Sequence, residues 1–180
     1  LKFFQDDRWI FFCWLFLLMS WISVDVEADG PIPGDFSMLA LGAVIVEPSL
    51  QKTFYARLHP ISEKWMPDSL KICGFSREQT LRFEKPQSVL RHFAQWLSIQ
   101  GGKHLYFVSD NGFDWQYVNW YFYHFLGSNP FGYSSINLLS LFLGLKKNMY
   151  SKFKHFKKKS YGHNPLDDAL ANARAMLKMK

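Results

Sequence analysis

Cysteine is scarce in this chain: only Cys13 and Cys73 occur among 180 residues. Neither lies in a C-x-x-C pair, and no Cys/His grouping has zinc spacing. A disulfide framework and a zinc module are thereby excluded, and a reducing, cytoplasmic setting is expected. Basic residues are also missing where acids gather. No Lys or Arg occurs between Arg8 and Lys52, so carboxylates in this stretch have no local salt-bridge partner. A full membrane span is lacking as well. Residues 9–24 carry no charge, but that is 16 residues where a spanning helix needs about 20. Lys2 and Arg8 are cancelled by Asp6 and Asp7, and no small-residue cleavage site follows, so neither a signal peptide nor a membrane partner is expected.

What the chain does contain is apolar and aromatic: 48% hydrophobic residues and 18% aromatic ones. Disorder is excluded, and one domain over residues 19–180 is expected. Met19 stands just before the first strand, so residues 1–18 read as an apolar upstream extension, with a short membrane-associating tail as the rival reading. The net charge of +6 is concentrated in one place. Residues 146–160, KKNMYSKFKHFKKKS, hold seven Lys and no acid; the rest of the chain has 14 basic against 15 acidic residues. Interleaved with Tyr150, Phe153, His155 and Phe156, this patch suits phosphate contacts and base stacking. A solvated lysine loop is the plainer alternative.

Hydrophobic periodicity predicts strands over 21–28, 38–46 and 53–60, joined by short Gly/Pro turns that favour an antiparallel meander. Residues 61–85 are mixed. A helix follows Pro86, with Val89, Leu90, Phe93, Trp96 and Leu97 at helical spacing, and stops at Gly101-Gly102. A strand over 105–109, an aromatic helix over 114–126, a short strand over 135–139 and a helix near Leu141 come next. Asn164-Pro165 opens the last helix, since Asn caps well and Pro suits the first helical position. The order predicts an α/β fold: one mixed five-stranded sheet, first three strands antiparallel, flanked by helices.

Four acids stand out by context. In WISVDVEADG, residues 21–30, Ile22, Val24 and Val26 share one strand face while Asp25, Glu27 and Asp29 share the other. Asp114 follows an apolar strand, and Asp168 sits in the first turns of the last helix. Sites in open α/β sheets gather where strands end and helices begin. Clustered carboxylates without basic partners suit divalent cations, and oxygen-only donors favour Mg²⁺ or Mn²⁺ over zinc.

D-V-E at 25–27, F-D at 113–114 and H-N-P-L-D-D at 163–168 resemble the three motifs of the DEDDh 3′–5′ exonucleases. These are relatives of polymerase proofreading exonucleases and ribonuclease T, with a ribonuclease-H-like fold. The resemblance runs from about Trp21 to Leu177. It implies Asp25 and Glu27 as first-motif ligands of two metal ions, Asp114 as the second-motif carboxylate and Asp168 as the third-motif acid. His163, at H-x4-D spacing, is implied as general base. Asp167 is one residue short of that spacing, and Tyr161 does not fit the tyrosine variant. By the same resemblance the Ala28 N–H faces a terminal 3′-hydroxyl, and Pro31 or Ile32 wedges against the last base. Asn111 resembles a substrate-contacting Asn, one residue out of register, and Ala40 stands where many relatives have Glu. Asp29 matches no motif acid and is expected at the strand's end facing solvent.

The implied activity is release of 5′-mononucleotides from the 3′ ends of single-stranded RNA or DNA. The compact single-domain form tilts the choice slightly to RNA. A DNA-directed exonuclease and a non-catalytic nucleic-acid-binding module on the same fold are the alternatives. Two Mg²⁺ or Mn²⁺ ions are the implied cofactors, Lys157, Lys158 and Lys159 the expected backbone contacts, and the oligomeric state stays open, a homodimer included.

Overall fold

The computed structural model of the chain describes residues 19–156 and 163–179. The expected extension over 1–18, with Cys13, and the expected contacts Lys157, Lys158 and Lys159 lie outside the described residues. No helix among the described residues is long and apolar enough to cross a membrane.

The elements run β1 (Met19–Ala28), β2 (Met38–Ile45), β3 (Thr53–Arg57), α1 (Pro67–Cys73), α2 (Arg77–Thr80), α3 (Pro86–Gln100), β4 (His104–Ser109), α4 (Phe113–Leu126), β5 (Ser135–Asn137), α5 (Leu138–Lys146), α6 (Phe153–Phe156) and α7 (Pro165–Met179). The strands form one sheet in the order β3-β2-β1-β4-β5. β2 runs antiparallel to both β1 and β3, while β4 runs parallel to β1 and β5 parallel to β4. The α/β fold with a mixed five-stranded sheet is the one expected.

β2 is apolar throughout because it is covered everywhere. Every one of its residues is buried, flanked by β1 and β3 and packed on both faces. One face carries α3 and α4: Phe93 stacks on Phe122 at 5.8 Å and meets Phe54 at 4.8 Å. The other face carries α7, which packs on β1 and β2 through Ala169, Ala173 and Met176. The helical period predicted for α3 is observed, with Val89, Leu90, Phe93 and Leu97 buried.

Three boundaries depart from expectation by two residues or more. β1 begins at Met19, because its parallel pairing with β4 already starts at Met19↔His104. β3 ends at Arg57, three residues early; the N–H groups of Leu58 and His59 still bond to Leu39 and Glu84. The strand expected over 135–139 stops at Asn137, whose side chain accepts from Ser140 N–H at 2.8 Å and starts α5. An Asn inside an apolar run is a cap signal, and the capped helix wins over the longer strand. The mixed stretch 61–85 contains α1, which opens on Pro67 and ends on Gly74 at φ 73°. It also contains α2, opened by a Ser76/Gln79 capping box.

Candidate active site

The alternation of β1 places Asp25 and Glu27 on one face of the sheet, the face that carries α7. β1 and β4 run parallel, so the end of β4 delivers Asp110 beside β1, and the first turn of α4 delivers Asp114. The first turn of α7 delivers Asp168. Asp25, Glu27 and Asp168 bring carboxylate oxygens within 4.8 Å of one another, and so do Asp25, Asp110 and Asp114. Asp25 belongs to both trios. The four acids singled out from sequence therefore converge, and Asp110 joins them. Asp110 was missed because it follows the strand end in a polar turn, SDNG, where an acid has an ordinary explanation. Its one signal was position at a strand's C-terminal end.

The carboxylates around Asp25 have structural anchors. Asp114 is buried at 2% exposure and accepts the Val26 N–H at 3.1 Å, which ties α4 to β1. The Cys73 thiol, at the end of α1, donates to Glu27 Oε2 and to the Ala28 carbonyl, each at 3.4 Å. Asp168 is set by the start of α7. There Asn164 Oδ1 accepts the Leu166 N–H at 3.0 Å and the Asn164 carbonyl accepts the Asp168 N–H at 3.1 Å. The Asn-Pro helix start is thus present as expected. His163 lies exposed just before it, near enough to Glu27 to act on that carboxyl electrostatically.

A glycine makes this meeting possible. Gly42 lies directly opposite Asp25 in the sheet. A Cβ there would sit 2.3 Å from Leu166 N and 2.5 Å from the Pro165 carbonyl oxygen. The bare backbone lets the first turn of α7 nest on β2, and Ser23 Oγ donates to Ala169 O at 2.8 Å one turn further on. Gly42→Ala must push that turn away from Asp25. Since about 1 Å of misplacement can cost about 10²-fold in rate, kcat is expected to fall about 10- to 100-fold, with a lower melting temperature. Steady-state kinetics beside a thermal melt checks this, and unchanged values for both would contradict it.

The electrostatics follow from burial. Asp25 is pushed well above the usual carboxylate range, first by desolvation and then by Asp114, Asp168, Glu27 and Asp110. Glu27 is raised by burial, opposed by the Cys73 hydrogen bond and by His163. Among the described residues, no ion pair involves either. Such a set of mutually repelling oxygen donors fits a hard divalent ion, and Asp25 belongs to two groups of them.

Asp29 corrects the expectation of a solvent-facing acid. It is fully buried, its Oδ1 accepting the Ser37 N–H and its Oδ2 pairing with Arg77 at 3.3 Å. Arg77 lies 48 residues away and Ser37 across a turn, so nothing local announced the pair. Asp29 braces the β1–β2 turn against α2 beside the site.

The remaining candidates are placed as follows. Ala28 is buried at the irregularity in β1–β2 pairing between Glu27 and Ala28. Pro31 is exposed, its carbonyl accepting from Gln116 at 3.1 Å, and Ile32 is 55% exposed. Asn111 accepts the Phe113 N–H at 2.6 Å and donates to Asp110 at 2.9 Å. These bonds tie Asn111 to the first residue of α4 and to Asp110.

No family model matches the sequence. A curated Escherichia coli protein, the 3′–5′ DNA exonuclease Cap18, is 36% identical over 161 residues, covering 82% of this chain and 84% of that protein. Solved structures share the fold at lower identity. The nuclease domain of 3′hExo, described as a DEDDh family member bound to rAMP, superposes with a TM-score of 0.72 at 17% identity. The match covers 89% of this chain and 90% of that one. Cell-death related nuclease 4 gives 0.73 at 17%, covering 91% of this chain but only 64% of that one. E. coli exonuclease I with a dA16 oligonucleotide gives 0.69 at 15%, covering 89% and 40%. The chain thus spans less than two thirds of the last two proteins. With a five-stranded sheet of this order, carboxylates meeting at Asp25 and a relative of this identity over most of both chains, the chain belongs to the DEDDh family of 3′–5′ exonucleases.

Proposed function

We propose that the chain removes 5′-mononucleotides from the 3′ end of single-stranded DNA, with Asp25, Glu27, Asp114 and Asp168 holding two Mg²⁺ or Mn²⁺ ions and His163 as general base. The observation that carries this reading is Asp25's membership of both carboxylate trios. One residue shared by two oxygen-donor groups is the arrangement needed to bridge a pair of ions. When bound, such ions supply positive charge to an in-line displacement at phosphorus.

The chain's own residues do the rest. Asp25 would serve both ions, with Glu27 and Asp168 beside it in one trio and Asp114 and Asp110 in the other. His163 stands at the exposed lip on the Glu27 side, where an imidazole can take the proton of the attacking water and pass it to solvent. The Ala28 N–H and the exposed Pro31–Ile32 turn lie beyond Glu27 as candidates to seat the terminal nucleotide. Lys157, Lys158 and Lys159 are assigned salt-sensitive contacts to the strand's phosphates.

The choice of DNA rests on the Cap18 relative, whose name describes a DNA exonuclease. It outweighs the slight tilt to RNA that compactness alone suggested. End-labelled RNA and DNA of one sequence, digested in the same tube with Mg²⁺, test it. DNA is expected to be shortened at least about 10-fold faster, as a lost or unwanted 2′-hydroxyl contact allows. Faster loss of RNA would overturn the DNA assignment.

A further inference from the structure

A second recess opens on the same face of the sheet as the carboxylates. A cavity of about 430 Å³ is lined by Arg57, Gly74, Phe75, Gln79, Arg82 and Phe83. Strand register fixes its place. Glu27 lies opposite Ala40, and Ala40 lies opposite Arg57, so the three form one row on one face of the sheet. Two strand spacings put Arg57 roughly 10 Å from Glu27 along that row. The far wall begins at Gly74, immediately after Cys73, whose thiol donates to Glu27.

The chemistry of the lining is that of a nucleotide site. The Arg57 guanidinium stands 5.3 Å from the Phe75 ring and 5.6 Å from Phe83, and its Nε donates to the Tyr55 hydroxyl at 2.9 Å. Phe75 and Phe83 meet edge to face at 5.2 Å. Both rings are only half-buried and belong to neither apolar core. Arg57 and Arg82 are exposed, and among the described residues neither pairs with a carboxylate. No acid lines the cavity. An aromatic platform beside two guanidinium groups without ionic partners offers a base a stacking surface and a phosphate its hydrogen-bond donors. Core packing would account for the rings but not for Arg57 over them and Arg82 in the same lining, both without an ionic partner among the described residues.

We infer that this cavity is a second nucleotide subsite, which holds an upstream nucleotide of the strand whose 3′ end lies at the carboxylates. The inference rests on the exonuclease reading. The subsite makes the enzyme length-sensitive: a strand long enough to fill it binds more tightly than a dinucleotide, and its contacts do not depend on metal.

Fluorescence anisotropy with 5′-labelled single-stranded dT8 and dT2 in EDTA tests this on the full chain. Variants Arg82→Gln, Arg57→Lys and Phe75→Leu are compared with the wild type after melts confirm folding. Arg57→Lys keeps the charge but loses the planar fork. Each is expected to weaken dT8 binding about 5- to 10-fold and to shrink the preference for dT8 over dT2. Arg82→Gln should also lower the salt slope by about 0.7, the share of one single-strand phosphate contact. Unchanged dT8 affinity in folded variants, or an equal loss for dT2, would overturn the subsite. Wild-type binding that shows the length preference without cleavage in Mg²⁺ would instead sink the exonuclease reading and leave the subsite standing.

Discussion

Replacing Asp25 by Asn is expected to abolish digestion while making the metal-free protein more stable. The two effects share one cause. Asp25 stands in both carboxylate trios, and burial followed by its acidic neighbours pushes its carboxyl well above the usual range. Losing that charge removes the group proposed to bridge the ions, so the rate should fall by about 10³-fold or more. Losing it also relieves repulsion. A gain of about 1 kcal/mol would raise the melting temperature in EDTA by about 2–4 °C for a chain of this size. The pH dependence has a definite sign. The folded-state carboxyl holds its proton more tightly than the unfolded one, so the wild type bears the penalty fully above the raised folded-state pKa. The penalty fades as pH falls through that value and is gone below the unfolded value of about 3.9. The advantage of Asp25→Asn in EDTA should therefore shrink on acidification. Added Mn²⁺ should raise the wild-type melting temperature in a concentration-dependent way and the variant's much less. A variant less stable than the wild type in EDTA, or one equally stabilised by Mn²⁺, would contradict the assignment.

His163→Gln is expected to behave differently, lowering kcat by about 10²–10⁴-fold, the usual contribution of a general base. His163 belongs to neither carboxylate trio, so the stabilisation by Mn²⁺ should survive the change. Equal loss of rate and of Mn²⁺ stabilisation would make His163 a ligand, and an unchanged rate would remove it from the chemistry. Glu27 is the carboxyl His163 acts on electrostatically, so a modest rise in the Mn²⁺ concentration needed is compatible with the role.

Much of this architecture was legible because its signals are local. Alternation in β1 displayed Asp25 and Glu27 on one face, and Asn164-Pro165 announced the helix that carries Asp168. What escaped depends on contacts distant in sequence. Asp29 reads as an exposed strand end until Arg77, 48 positions on, is folded against it. Gly42 looks like a strand glycine with no particular duty. Its opposition to Asp25 and the approach of Pro165 and Leu166 exist only in the folded sheet. Asp110 sits in a turn where an acid is unremarkable, and parallel pairing of β4 with β1 is what brings it to Asp25. The bonds of Asn111, expected as a substrate contact, to Asp110 and to the Phe113 N–H were not legible either. The β5–α5 boundary was blurred because SINLL suits a short strand or a helix start equally, and the Asn137 cap decides between them.

The central claim is that carboxylates converging on Asp25 drive metal-dependent removal of nucleotides from a 3′ end. It is tested most directly by digesting a 5′-labelled single-stranded DNA with purified wild-type protein, in Mg²⁺ and in EDTA, and resolving the products at single-nucleotide length. The account predicts a stepwise ladder shortening from the 3′ end, with 5′-mononucleotides released and no digestion in EDTA. Internal cleavage, digestion that persists in EDTA, or an intact strand after incubation with Mg²⁺ and with Mn²⁺ would contradict it.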